Sequence, residues 1–250
     1  MPIPSPKLTA QLSRYGLQVR PNVQLNGILR FKGPCEFFSG SVITNCSFGP
    51  YSYLNARSSL NNCHIGAYCS LSYDIDAGML RHQAIAATTS SAFYQDDAFY
   101  RRYLKHQSRP FASSHPEQIT IKNDVWIGSH VLIPAHHPVT INTGAVIASG
   151  AVITKDVPPY AVMAGNPARQ VKQRFSDEIC ADLLNSQWWH YNIPLYMADH
   201  PDFPLEDPKA FAEAVKALAA ELPVFKTQCL LLTMLDSSKA QLQQTASWLD

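Results

Sequence analysis

Three sets of side chains in this sequence are of types and spacings that could do chemistry. Nine histidines supply a side chain whose ordinary titration lies near pH 7, and a neutral imidazole suits the removal of a proton from an attacking hydroxyl or amine. Lys155, Arg169, Lys172 and Arg174 form a basic cluster with only Asp156 nearby, a pattern that suits phosphate groups, which Arg can meet in bidentate fashion. His130, His136 and His137 stand close enough in sequence to raise zinc as an alternative to plain surface or corner histidines. No Ser or Cys stands in a recognisable nucleophile motif, so a covalent acyl-enzyme is not expected. No GxxxxGK[ST] phosphate loop occurs, and the six cysteines form no CxxC pair, so they make neither a zinc site nor a disulfide framework.

The chain that must position these groups has 250 residues, with 20 Lys and Arg against 19 Asp and Glu. A net charge of +1 excludes a general nucleic-acid binder, which needs a strong positive field. Hydrophobic residues make up 46%, enough for a real core. The most apolar stretch, 210–235, is broken by Lys216, Glu221, Pro223 and Lys226, and is too interrupted for a membrane span. The opening MPIPSPKLTA has no apolar stretch, so a cytoplasmic protein with free thiols is expected.

The strongest pattern is a period of six. Ile121, Ile127, Ile133, Ile141, Ile147 and Ile153 step by 6, 6, 8, 6 and 6. Two places before each stands a second small or branched apolar residue: Ile119, Val125, Val131, Val139, Ala145 and Ala151. The ladder also runs upstream through Phe48, Leu54, Leu60, Ile65, Leu71 and Ala77, with Cys46, Ser52, Ser58, Cys63, Cys69 and Ile75 as partners. A helix would need a period near 3.6. Paired inward residues every six describe a short strand and a turn, three of which close a triangular coil; stacked coils make a parallel β-helix. Gly49, Gly66 and Gly128 follow inward residues, where the chain is expected to bend at a corner.

Residues 78–118 carry no ladder and read as an excursion, aromatic and basic in composition. The slip at Ala135–Pro138 reads as a bulging corner, and Pro158–Pro159 as the end of the prism. Alternation turns Trp126 outward, as a subunit contact or a cofactor wall; Tyr51, Tyr53 and Tyr73 are outward or corner residues that could line an acceptor pocket. A short helix is expected around Leu8–Leu12. Ser176 caps a helix carrying Ile179, Leu183, Leu184 and Trp188, and Asp207 caps a second from Pro208 to Leu222. The apolar tail from Gln228 to Leu235 packs on the prism or on a neighbour. The division is 1–21, an N-terminal segment; 22–170, the β-helix with its loop 78–118; and 171–250, a helical extension.

NDVWIGSHVLIP (123–134), VTINTGAVIASGAVITKDVPPYAVMAGNPARQV (139–171), IGAYCSLSYDIDAGMLRHQ (65–83) with SSAFY (90–94), and RFSDEICADLLNSQWWHY (174–191) carry a resemblance. Over residues 46–191 the chain resembles the hexapeptide-repeat acyltransferases, in their xenobiotic, CatB-related O-acetyltransferase branch. The resemblance implies a left-handed parallel β-helix and a homotrimer, with acetyl-CoA between adjacent prisms and no metal. His82, five residues after the inward Ala77, matches the family's general base, with Gln83 where members often carry Pro. Read without the resemblance, His82 is a solvent-exposed loop histidine. The positions matching those along which the family's cofactor runs are Ser129, Ser149, Thr154, Lys155, Arg169 and Lys172. The implied reaction moves acetyl to a hydroxyl, less readily an amine, of a small acceptor such as a sugar or xenobiotic. The alternatives are a non-catalytic scaffold on the same coil, an enzyme using another acyl donor, or, from the clustered histidines, a zinc enzyme of the gamma carbonic anhydrase kind.

Overall fold

A computed structural model describes residues 3–79, 87–90, 118–134, 136–235 and 240–246. The chain forms a left-handed parallel β-helix of about six turns, followed by short α-helices. Its first face stacks Leu17–Val19, Cys35–Phe37, Ser52–Leu54, Ser70–Leu71, Trp126–Ile127, Val146–Ile147 and Ala161–Gly165 in parallel register. The second face stacks the first half of Val42–Phe48 on that of Gln24–Lys32, then Ser59–Asn61, Asp76–Met79 and Leu132–Pro134. The third takes the second halves of those two long strands, then Cys63–Ile65, Ile119–Ile121 and Val139–Ile141.

Every residue of both six-step ladders is at most 2% exposed. Burying each large aliphatic side chain contributes about 1.5–3 kcal/mol, so the stacked Ile and Leu columns dominate the stability of the prism. The small partner slots work differently. Ser52 donates to the Gly66 carbonyl at 2.6 Å and accepts from the Cys69 N–H at 2.9 Å. Ser58 donates to the Ser72 carbonyl and accepts from the Ile75 N–H. These inward hydroxyls satisfy corner backbone that the parallel ladder leaves unpaired. All six cysteines are buried and free.

Three corners complete each coil. The first, between the first and second faces, holds Asn22, Gly40, Arg57, Asp74, His130 and Gly150 at positive φ. The second holds Gly27, Asn45, Asn62 and Gly78; the third holds Tyr51, Tyr68, Asp124, Gly144 and Tyr160. Gly49, Gly66 and Gly128 do not supply this left-handed bend. They make room: a Cβ on Gly128 would lie 2.6 Å from the Ser149 amide nitrogen, and one on Gly49 2.7 Å from that of Ala67. The bend itself falls two residues further on, mostly on residues other than glycine. Nor do the prolines end the coil. Pro158–Pro159 occupy the third corner, where no ladder N–H is needed, and Ala161–Gly165 then adds one more parallel strand before Ala168–Gln173 folds back against it.

Helix α1 (Pro6–Arg14), capped by Ser5, buries Leu12 at the opposite end. The tail forms a strand, Cys229–Met234, which pairs antiparallel with Gln24–Lys32 and with Ala240–Gln244. Helices α2 (Asp177–Ser186), α3 (Ile193–Met197) and α4 (Pro208–Ala217) make a second core around Tyr160, Leu183, Ile193, Phe211 and Val215. Helix α4 stops before Leu222 because the chain turns back to bridge Val224 to Tyr191. No helix among the described residues is long and apolar enough to cross a membrane.

Ser52→Ala leaves the Cys69 N–H and the Gly66 carbonyl buried without partners. Thermal or urea unfolding of this variant is expected to show a loss of about 1–3 kcal/mol with the fold retained.

Candidate functional site

The excursion leaves the prism at the second corner, after Asp76–Met79, and the chain rejoins the third face at Ile119. His82 and the aromatic and basic loop residues lie outside the described residues. Their point of departure is nevertheless fixed. Gly78 is the left-handed residue of that corner, and a Cβ there would overlap the Asn61 carbonyl of the coil before it. His136–Pro138 and then Thr154–Asp156 make the same corner in the next two coils, so the excursion, Thr154 and Lys155 share one edge. The Thr154 carbonyl faces His137 Nε2 at 3.0 Å, which ties the two coils together.

Ser129 and Ser149 stand on the first corner instead. Ser72 and Ser129 share a hydrogen bond at 2.8 Å, and the Ser129 N–H donates to Ser149 Oγ at 3.2 Å. The result is a continuous column of hydroxyls over three coils. Below it, Arg57 makes a two-point contact with Asp74, at 2.9 and 2.6 Å, and His130 Nε2 lies 3.9 Å from the same carboxylate. The Arg57 guanidinium holds the Asp74 carboxyl below its ordinary range. Above the column, Arg169 lies opposite Ala164 near the top of this edge, and Lys172 lies opposite Val162 on the first face; both are exposed. The six candidate positions therefore split into Ser129, Ser149 and Arg169 along one edge, Lys172 beside it, and Thr154 and Lys155 on the next edge across the second face.

Trp126 does point outward. It is 56% exposed, flanked by Ser70 and Val146, and lines a shallow hollow of about 290 Å³ with Tyr68, Asp124 and Arg174. Cys69 is pushed up to about 12 by burial, and Cys63 is raised as well, so neither thiol is a nucleophile at neutral pH. Among the described residues no three His, Cys, Asp or Glu are grouped to hold a metal ion.

One expectation from the residues alone is corrected. Arg174 does not join Arg169 and Lys172, because it follows the fold-back strand and reaches the third corner. There it donates to the Gly144 carbonyl at 2.6 Å and pairs with Asp124 at 3.2 Å, with its guanidinium over the rings of Tyr160 and Phe175. Tyr51 donates its hydroxyl to Asn192 and stacks its ring on Tyr68 at 5.3 Å, and together with Tyr53 it lines an open hollow of about 370 Å³. Tyr68 in turn donates to the Tyr191 carbonyl at 2.7 Å and packs against Trp188. The third corner thus seats the C-terminal extension. Tyr53 and Tyr73 are exposed.

Burial raises the Asp124 carboxyl despite Arg174. In Arg174→Met the counter-charge is gone and the folded-state value rises further above the unfolded one. A raised carboxyl is compatible with the fold while protonated, and the associated stability is lost as pH rises through the folded-state value. Urea melts are therefore expected to show Arg174→Met about 1–3 kcal/mol less stable than wild type at pH 7, with the gap narrowing as the pH is lowered toward 4.

No family model matches the chain. Among curated proteins it is 31% identical over 185 residues to a chloramphenicol acetyltransferase of Klebsiella aerogenes, covering 72% of this chain and 81% of that protein. It is 32% identical over 178 residues to a chloramphenicol acetyltransferase of Morganella morganii, covering 69% and 78%. Among solved structures, a galactoside acetyltransferase in complex with coenzyme A is 26% identical, covers 70% of this chain and 78% of its own, and superposes with a TM-score of 0.39.

Proposed function

Because the chain belongs to the hexapeptide-repeat acyltransferases, in the xenobiotic, CatB-related branch, and is an acetyl-CoA-dependent acyltransferase, we propose that it acetylates a hydroxyl of a small acceptor, with His82 as general base. The observation that carries this reading is the shared edge. The excursion that bears His82 starts at the same corner that Thr154 and Lys155 form two coils on, about 10 Å away at the spacing of stacked strands. The serine column of Ser72, Ser129 and Ser149 stands one face away, leading up to Arg169 and Lys172.

In this mechanism the acceptor oxygen attacks the thioester carbonyl while the neutral imidazole takes its proton. A C–O bond forms and negative charge collects on the carbonyl oxygen. The C–S bond then breaks, and the imidazolium returns the proton to the departing thiolate. Transfer is direct, consistent with thiols kept protonated by the Cys46–Cys63 hydrogen bond and by burial. A base of this kind is worth roughly 10²–10⁴-fold. The hydroxyl column lets the pantetheine arm run close to the backbone, and Arg169 and Lys172 meet the phosphates. The enzyme is a cytoplasmic homotrimer, and the cofactor lies between adjacent prisms, where the first corner of one copy and the second corner of the next can both reach it. The acceptor is a xenobiotic or sugar hydroxyl, after the substrate class in the relatives' names.

His82→Ala is expected to lower kcat by roughly 10²–10⁴-fold, measured as CoA release with chloramphenicol, galactosides and their amino analogues as acceptors. Turnover within a factor of two of wild type would remove His82 from the mechanism. Faster turnover of the amines would reassign the acceptor, and a panel of longer acyl thioesters tests the donor. Arg169→Ala and Lys172→Ala are expected to raise KM for acetyl-CoA about three- to tenfold with kcat largely kept, and the effect is expected to shrink at high salt. A KM unchanged in both variants would place the phosphates elsewhere.

A further inference from the structure

The outer side of the third face carries side chains that acetyl transfer does not use. The strand register brings Leu231, Arg30, Ser47, His64, Thr120 and Thr140 into one row across it. Neighbours in such a row lie about 4.8 Å apart, so Arg30 and His64 flank Ser47 with their Cα atoms about 10 Å from each other. Among the described residues no acid enters the row until Asp156, which accepts from the Thr140 N–H at 2.8 Å, three strands beyond His64.

Ser47 is fully buried, and its Oγ lies 2.8 Å from His64 Nδ1. No other partner of that hydroxyl occurs among the described residues. A buried hydroxyl needs an acceptor for its proton, so Ser47 donates and Nδ1 accepts. The ring proton then sits on Nε2, on the side of the imidazole away from Ser47. Burial, and after it the Arg30 guanidinium, holds His64 below its ordinary range, so the ring is neutral at pH 7. Arg30 has no hydrogen-bond or ion-pair partner among the described residues, and both it and His64 are partly exposed. A guanidinium keeps its proton and only donates. The row therefore offers a cationic fork and an imidazole N–H on either side of a small residue, with no acceptor for either.

We propose that Arg30 and His64 hold a tetrahedral oxyanion, a phosphate or sulfate group that is free or carried as a monoester. The anion stands above Ser47 without touching it; the buried hydroxyl acts by fixing the ring. Arg30 presents parallel N–H groups to two oxygens, and the imidazole N–H meets a third, which a planar carboxylate does not have. The small side chain of Ser47 leaves the gap between the two larger ones open for one such group. The site lies on a different face from Lys172 and away from the edge that carries Arg169, so it is distinct from the positions assigned to the cofactor phosphates.

The test uses the full chain, isotope-labelled in its histidine rings, at pH 7 and constant ionic strength. Inorganic sulfate, inorganic phosphate, phenyl phosphate and acetate are titrated in turn, and the His64 resonances are identified by their loss in His64→Gln. The free protein is expected to show the proton on Nε2, and the resonances to move saturably with the three tetrahedral anions and not with acetate. Arg30→Gln is expected to weaken sulfate binding about tenfold. Tighter binding of phenyl phosphate than of inorganic phosphate would assign the site to esters, and the reverse to the free ion. A proton on Nδ1, the absence of a saturable shift, or an equal response to acetate would overturn the site. Sulfate binding unchanged in Arg30→Gln would overturn the role of the guanidinium.

Discussion

A chain that turns three times per coil must place a residue in the left-handed region at nearly every corner, and the rest of this molecule follows from that demand. For residues other than glycine the conformation is disfavoured by roughly 1–2 kcal/mol each, and among the described residues ten of them adopt it at corners. The prism tolerates this because most corner N–H groups, such as those of Arg57, Tyr68 and His130, find a carbonyl in the adjacent coil, and the flanking inward pairs are buried. Since corners of successive coils stack, the side chains at one corner form a column along an edge. The same geometric requirement therefore produces three edges of different character. One carries hydroxyls and a short run of polar side chains from Arg57 through Asp74 to His130. One releases the long excursion at Gly78. One carries tyrosines, whose rings stack outward and seat the C-terminal helices.

Charge is distributed sparingly on this frame. Arg174 shows how little a local count of basic residues reveals. It lies two residues from Lys172, yet the fold-back strand ends between them, and the guanidinium is spent holding Asp124 and the Gly144 carbonyl under an aromatic roof. Lys172 and Arg169 stay exposed. The prism thiols of Cys35, Cys46, Cys63 and Cys69 sit in inward slots, each with a backbone carbonyl for its proton, as Cys69 has that of Lys122.

Much of this was legible in the residues. The period of six named all the inward positions from Cys46 to Ile153, because burial on a triangular coil leaves a regular trace. Upstream, Leu17 and Val19, Val23 and Leu25, Leu29 and Phe31, Cys35 and Phe37 keep the same paired spacing. The extra corner residue at Gly27–Ile28 and polar neighbours such as Arg30 and Glu36 blur it. Corner conformation was harder to read, since Arg57, Tyr68 and His130 are poor candidates for positive φ, and only the stacking of coils puts them there. The strand at Cys229–Met234 had no local signature beyond apolarity; its state depends on an unpaired edge at Gln24–Lys32. The split of the phosphate-binding candidates over two edges, and the departure of Arg174 from them, depend on how many residues each coil takes, which short insertions at the second corner alter.

That late strand also bears on how the molecule is made. The first coil has its own ladder partner on one side only, and the other side of its third face is covered by Cys229–Met234, with Thr227 hydrogen-bonded to the Gly33 carbonyl. During synthesis the ribosome delivers the covered edge long before its cover. The nascent chain thus carries an open sheet margin while everything between the two strands is made, a period in which chaperones or neighbouring nascent chains compete for it. Assembly of the prism from its first coil cannot be finished until Cys229–Met234 clears the exit tunnel.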